Sequence, residues 1–113
     1  MHELAIAESL IKQLLKIAGA DDIPRIKAVT LQIGELSGID TEALDMALPF
    51  VAENTILENT VFRYEEVKTC VKCALCGRIS TPVMPVVVCG HCSSTEVEII
   101  QGREFVIKEF ELP

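Results

Sequence analysis

The chain has 113 residues, half of them hydrophobic but only 4% aromatic and none of them tryptophan, which suffices for one aliphatic core of ordinary domain size. Its formal charge of −7 argues against binding a phosphate backbone, which needs clustered Lys and Arg. The N-terminus lacks the basic segment of a signal peptide and no apolar run approaches the roughly 20 residues that span a bilayer, so a soluble, cytoplasmic protein is expected.

Met1-His2-Glu3 opens the chain. The usual aminopeptidase removes Met only before a small residue, so Met1 is expected to stay, leaving a free amine one residue from an imidazole. Both groups lose protons close to neutrality, at roughly pH 7.7–8 and 6.5 when unperturbed. With the His2 backbone nitrogen between them, they close a five-membered and a six-membered chelate ring. Nitrogen ligands in a plane suit nickel(II) and copper(II). Glu3 or another carboxylate can fill the remaining place, and a partner can displace it; such a site holds a metal and gives it up. The competing reading is a histidine that merely follows the start of the chain.

Residues 4–18 predict an amphipathic helix. Ala7, Leu10, Ile11, Leu14 and Ala18 recur at helical spacing, with Glu8, Lys12 and Lys16 on the other side. Gly19 is the natural C-cap, and Asp21-Asp22-Ile23-Pro24 a turn. Over residues 25–35, Val29, Leu31 and Ile33 alternate with Ala28, Thr30 and Gln32, the pattern of a half-buried strand. Gly34 and Gly38 bracket a tight GELSG connection. Asp40 or Thr41 then caps a helix that turns Leu44, Ala47, Leu48 and Val51 inward and that Pro49 should kink. Residues 60–68 and 103–112 predict two further strands, each with one solvated face. In the last, Phe105 and Ile107 oppose Val106, Lys108 and Phe110.

The segment 69–100 differs in character and holds all five cysteines, reading as an insertion between two strands. Cys73-Ala-Leu-Cys76 and Cys89-Gly-His-Cys92 form a CxxC pair with twelve residues between. Each CxxC can aim two sulfurs at one metal, and four thiolates make a closed structural zinc site with no position open for an activated water. Cys70 competes with Cys76 for the first knuckle, because Cys70-Val-Lys-Cys73 is also CxxC. Gly77 favours Cys76, since the turn after the second ligand suits a residue tolerant of positive φ. His91 could replace one cysteine, and a rubredoxin-like iron site obeys the same four-cysteine logic. Val83, Met84, Val86, Val87 and Val88 exceed what a tiny zinc module buries.

No Ser/His/Asp set and no Gly-rich phosphate loop is present, so an enzyme is not expected. Taken together, MHELAIAESL, VTLQIGELSGID, the two knuckles and QGREFVIKEFE resemble the HypA/HybF family of nickel-insertion accessory proteins along essentially the whole chain. The resemblance implies an α+β fold: a small three-stranded sheet with two helices (residues 1–68 plus 101–113) carrying an inserted four-cysteine, zinc-ribbon-like domain (residues 69–100). It implies nickel held at Met1, His2 and Glu3, with Asp40 associated, and zinc at Cys73, Cys76, Cys89 and Cys92. It also implies a metallochaperone that delivers Ni(II) in [NiFe]-hydrogenase maturation, with a HypB-type GTPase, the hydrogenase large-subunit precursor and, in some members, urease machinery as partners. The alternative is a zinc-ribbon interaction or nucleic-acid adaptor with an incidental His2.

Overall fold

The computed structural model describes residues 2–113; Met1, the first of the expected nickel ligands, lies outside the described residues. By its contacts the chain forms two compact units, one of Met1–Leu31, Ile39–Tyr64 and Ile107–Pro113, the other of Gln32–Gly38 and Glu65–Val106.

The first unit contains helix α1 (Glu3–Ala20) and helix α2 (Thr41–Ala52). Ala7, Leu10, Ile11, Leu14 and Ala18, the residues at helical spacing in the sequence, are the apolar residues that α1 buries. α1 packs against α2, which buries Leu44, Leu48 and Ala52. Each fully buried leucine here withdraws a side chain worth roughly 1.5–3 kcal/mol from water. Ala47 and Val51 were expected inward and are only half-buried; the inward stripe passes instead through Ala52. Pro49 lies inside α2 at an exposed position, where the carbonyl that loses its proline donor can face water. The end of α1 departs from expectation. Gly19 is not the cap: the helix runs on to Ala20, and Asp22, at φ 52, makes the left-handed step. Asp tolerates that region better than most residues, and the Ile23 N–H closes on the Ala18 carbonyl at 2.8 Å, the long bond of a Schellman stop.

Strand β1 (Ala28–Gly34) is the centre of a three-stranded sheet between β2 (Val61–Val67) and β6 (Phe105–Glu111). β1 and β2 start together, with Val61 N–H on the Lys27 carbonyl at 3.0 Å, and end together, with Glu35 N–H on the Val67 carbonyl at 2.8 Å. They therefore run parallel, with α2 as the crossover a parallel pair requires. β6 returns antiparallel to β1, as Lys27 N–H to Glu111 and Gly34 N–H to Glu104 show. Its alternation slips near the end: Phe110 is half-buried with Phe105 and Ile107, while Lys108 and Glu109 are both exposed. Two adjacent charges keep their hydration and the ring takes the sheltered side.

The second unit has its own antiparallel sheet, β4-β3-β5, from β3 (Cys70–Cys73), β4 (Ile79–Ser80) and β5 (Val97–Gln101). Val71 sits at its centre, opposite Ser80 on one side and Ile99 on the other, and is fully buried. The GELSG loop is fastened to the stem of this sheet. Leu36 N–H reaches the Gly102 carbonyl at 2.7 Å, and the Glu35 carboxylate accepts Thr69 N–H at 3.3 Å and pairs with Lys68 at 3.5 Å. Gly34 permits the crossing: a Cβ there would stand 2.1 Å from the Gly102 carbonyl oxygen.

Candidate metal sites

The two knuckles repeat one geometry. In the first, Leu75 and Cys76 N–H donate to Cys73 Sγ at 3.3 and 3.4 Å, and Gly77 N–H to the Cys73 carbonyl at 3.0 Å. In the second, His91 and Cys92 N–H donate to Cys89 Sγ at 3.3 and 3.5 Å, and Ser93 N–H to the Cys89 carbonyl at 2.9 Å. The residue after each second cysteine has positive φ: Gly77 at 71 and Ser93 at 62. Glycine takes that conformation without cost, and serine there marks a turn imposed by the surrounding bonds.

The knuckles face each other. Cys73 and Cys92 sulfurs are 3.5 Å apart, Cys76 and Cys89 sulfurs 3.6 Å, and all four lie within 4.8 Å of one another. A zinc–sulfur distance of 2.3 Å makes a tetrahedron with edges of about 3.8 Å, so the group fits a zinc-sized ion. Charge points the same way. Cys76 N–H, with Leu75 N–H, holds the Cys73 thiol below its ordinary pKa, and the Cys92 and His91 N–H groups bring Cys89 down to about 6. Cys92 accepts the Ser94 N–H, which lowers it, but its contact with Cys73, burial and the neighbouring sulfurs outweigh this and push it up to about 12. Four thiols this close cannot all ionise alone, and a divalent cation held by them would replace the remaining protons. Cys70 stands apart, 3.8 Å from Thr81 Oγ1 and 3.6 Å from Gln101 Nε2. His91 is exposed and outside the sulfur group.

At the other candidate site, His2 is exposed at the start of α1, and its carbonyl accepts Ile6 N–H at 2.8 Å, the first turn of the helix. Glu3 is only 5% exposed, and its Oε2 accepts the Asp40 N–H at 3.1 Å. Asp40 caps α2, its Oδ1 accepting Glu42 N–H at 3.0 Å and Ala43 N–H at 3.2 Å. The starts of the two helices are thus joined through Glu3. Among the described residues the four cysteines are the one group arranged to hold a metal ion. An acid in the first turn of α1 is an ordinary helix preference; the resemblance associates Asp40 with the same site, and the bond from its backbone N–H to Glu3, 37 residues away, is what the fold adds.

A sequence profile described as "Hydrogenase/urease nickel incorporation, metallochaperone, hypA" matches residues 1–112. The chain belongs to the HypA family. It is 34% identical over 108 residues to the hydrogenase maturation factor HypA of Chlorobium limicola, covering 96% of this chain and 93% of that one. With the factor of the same name from Crocosphaera subtropica it shares 37% over 113 residues, 99% of this chain and 96% of that one. Two solved structures share its fold at 26% identity. A solution structure of HypA protein matches with TM-score 0.76, covering 100% of this chain and 97% of that one. The Ni metallochaperone HypA from Helicobacter pylori matches with TM-score 0.73, covering 99% and 97%. HypA membership makes the chain a metallochaperone of hydrogenase maturation and not an enzyme. Two helices, small sheets and a four-cysteine metal site are the α+β architecture expected of it.

Proposed function

We propose that this HypA-family protein binds Ni(II) at Met1, His2 and Glu3, with Asp40 supporting the site, and delivers it during [NiFe]-hydrogenase maturation. Exposure of His2 on the first turn of a packed helix carries the reading. An imidazole so placed is open to an incoming metal, while burial of the next residue keeps the turn from fraying. In this reading Zn(II) is structural, held by Cys73, Cys76, Cys89 and Cys92, and residues 69–100 form the module inserted into the nickel-binding portion, residues 1–68 plus 101–113. Delivery in the cytoplasm would involve a HypB-type GTPase and the hydrogenase large-subunit precursor, with urease maturation as a second destination.

The test is a nickel titration of untagged, zinc-loaded protein beside the same protein extended by one glycine before Met1. Extension moves the α-amine out of the chelate, so binding should be lost in the extended form and zinc retained. Equal binding by both forms would refute the terminal site.

A further inference from the structure

We propose that the outward face of α2, centred on Met46 and Phe50, is a docking site for an amphipathic segment of a protein partner, an apolar anchor flanked by Lys or Arg. This deepens the nickel-delivery reading and rests on it only for the partner's purpose.

Met46 is 80% exposed and Phe50 74%. They stand four residues apart and so lie side by side on one helix face. Both types suit recognition: Phe is a rigid anchor, and Met is a flexible thioether that adapts to what covers it. Their surroundings specify the occupant's charge. Glu42 lies one turn before Met46, and Glu53, at the C-cap, one turn beyond Pro49 and Phe50, and no Lys, Arg or His occurs between Lys27 and Arg63. Over that interval Glu35, Asp40, Glu42, Asp45, Glu53 and Glu58 are the only charged residues. Pro49, on the same face, brings no N–H to the Asp45 carbonyl, leaving an acceptor that a cationic side chain can use.

Two other occupants fit badly. A second copy of this chain across a two-fold axis would set one acidic rim against another. An anionic lipid surface would meet the same repulsion. A partner segment with cations beside its apolar anchor pairs with every feature of the face. The site is also close to the proposed nickel ligands: Met46 lies six residues past the Asp40 cap, about 9 Å along the helix axis, and Asp40 N–H is held by Glu3.

The probe is a synthetic helical peptide of about 18 residues, five turns of helix, with leucine on one face and lysine flanking it. It is titrated into isotope-labelled, zinc-loaded protein and followed by amide chemical shifts. The expected result is shifts confined to α2 and its flanks and affinity lost by about tenfold in the Met46→Ser/Phe50→Ser variant. A peptide with glutamate replacing lysine should not bind. Shifts centred elsewhere, equal affinity in the double variant, or no binding by wild type would each overturn the proposal. So would self-association of wild type that the double variant abolishes, which would give the face to a second copy. A nickel titration of the double variant keeps the two readings apart. Intact nickel binding with lost peptide binding supports docking, whereas wild type that binds peptide but not nickel would sink the metal reading alone.

Discussion

Two glycine-to-alanine changes of the same size should move stability in opposite directions. At Gly34 the added Cβ would lie 2.1 Å from the Gly102 oxygen, 2.3 Å from its carbonyl carbon and 2.7 Å from Arg103 N. These are backbone atoms and cannot swing aside, so the two segments must part. Parting them stretches the Gly34 N–H bond to Glu104 and the Leu36 N–H bond to Gly102, each 2.7 Å long. Two backbone bonds at about 1 kcal/mol each, with the overpacking strain added, give a loss of roughly 2–4 kcal/mol. At Gly19 a Cβ meets nothing within 4 Å, and the residue sits within α1. Alanine there should stabilise by about 0.5–1 kcal/mol, because glycine in a helix interior forfeits that much. The assay is urea unfolding of zinc-loaded protein followed by circular dichroism. With a slope of roughly 2 kcal/mol per molar, Gly34→Ala should lower the midpoint by about 1–2 M and Gly19→Ala raise it by about 0.3–0.5 M. A Gly34→Ala midpoint equal to wild type would refute the close crossing. A lowered midpoint for Gly19→Ala would mean that Gly19 ends the helix in a left-handed turn after all.

The remaining expectations address the metal sites and the one tyrosine. Cys73→Ser and Cys89→Ser should each lose zinc to a chromogenic chelator, while Cys70→Ser keeps one zinc per chain, because Cys70 lies outside the sulfur group. Asp40→Asn should keep both the α2 cap and the backbone N–H that Glu3 accepts, so nickel binding should stay close to wild type, and a marked loss would instead make the Asp40 carboxylate itself a ligand. Asp40→Ala should cost about 1 kcal/mol of stability, as removal of a cap does; calorimetric nickel titration beside urea unfolding separates the two roles. Tyr64 is the only tyrosine, so tyrosinate absorbance reports it alone. Burial, then the 2.7 Å hydrogen bond its hydroxyl donates to Asp45, raises its pKa above the ordinary value. A raised folded pKa favours the folded state below the unfolded value near pH 10 and is lost as pH climbs through the folded one. Ionisation should therefore begin later than in a model peptide, and earlier in Asp45→Asn than in wild type.

The helices were legible because their signals are local. Ala7, Leu10, Ile11, Leu14 and Ala18 announce one face of α1 by spacing alone, and Asp40 lies where a cap belongs before an apolar run. The four cysteines were legible for the same reason, two short-range motifs each closing on its own backbone. What escaped the sequence is held by long-range contact. Gly34 and Gly38 suggested only a tight turn in the GELSG loop, yet Gly34 also serves a crossing with Gly102, far along the chain. Glu35 reads as a surface charge until Thr69 and Lys68 are seen on its carboxylate. Gly19 misled because a glycine near the end of a helical pattern is a good stop signal, and the Asp22 step three residues later performs that task.

The two metal sites, as proposed, differ in exchange because their ligands differ in how the backbone holds them. At the cysteine site the Cys73 and Cys89 sulfurs each accept two backbone N–H bonds, and both residues are buried. Release of the ion would return charge to sulfurs already crowded within 4.8 Å, so the ion should stay. At the chain start the Glu3 carboxylate is fixed by the fold, its Oε2 accepting Asp40 N–H. In the proposed site the metal would rest on nitrogen donors together with Glu3, at the start of α1 where His2 is exposed. Donors on an exposed turn leave a bound metal open to an incoming competing ligand. The consequence is measurable with a nickel chromophore ligand in competition: nickel should leave within the mixing time while zinc remains through prolonged incubation, and zinc leaving as fast as nickel would refute this division of roles.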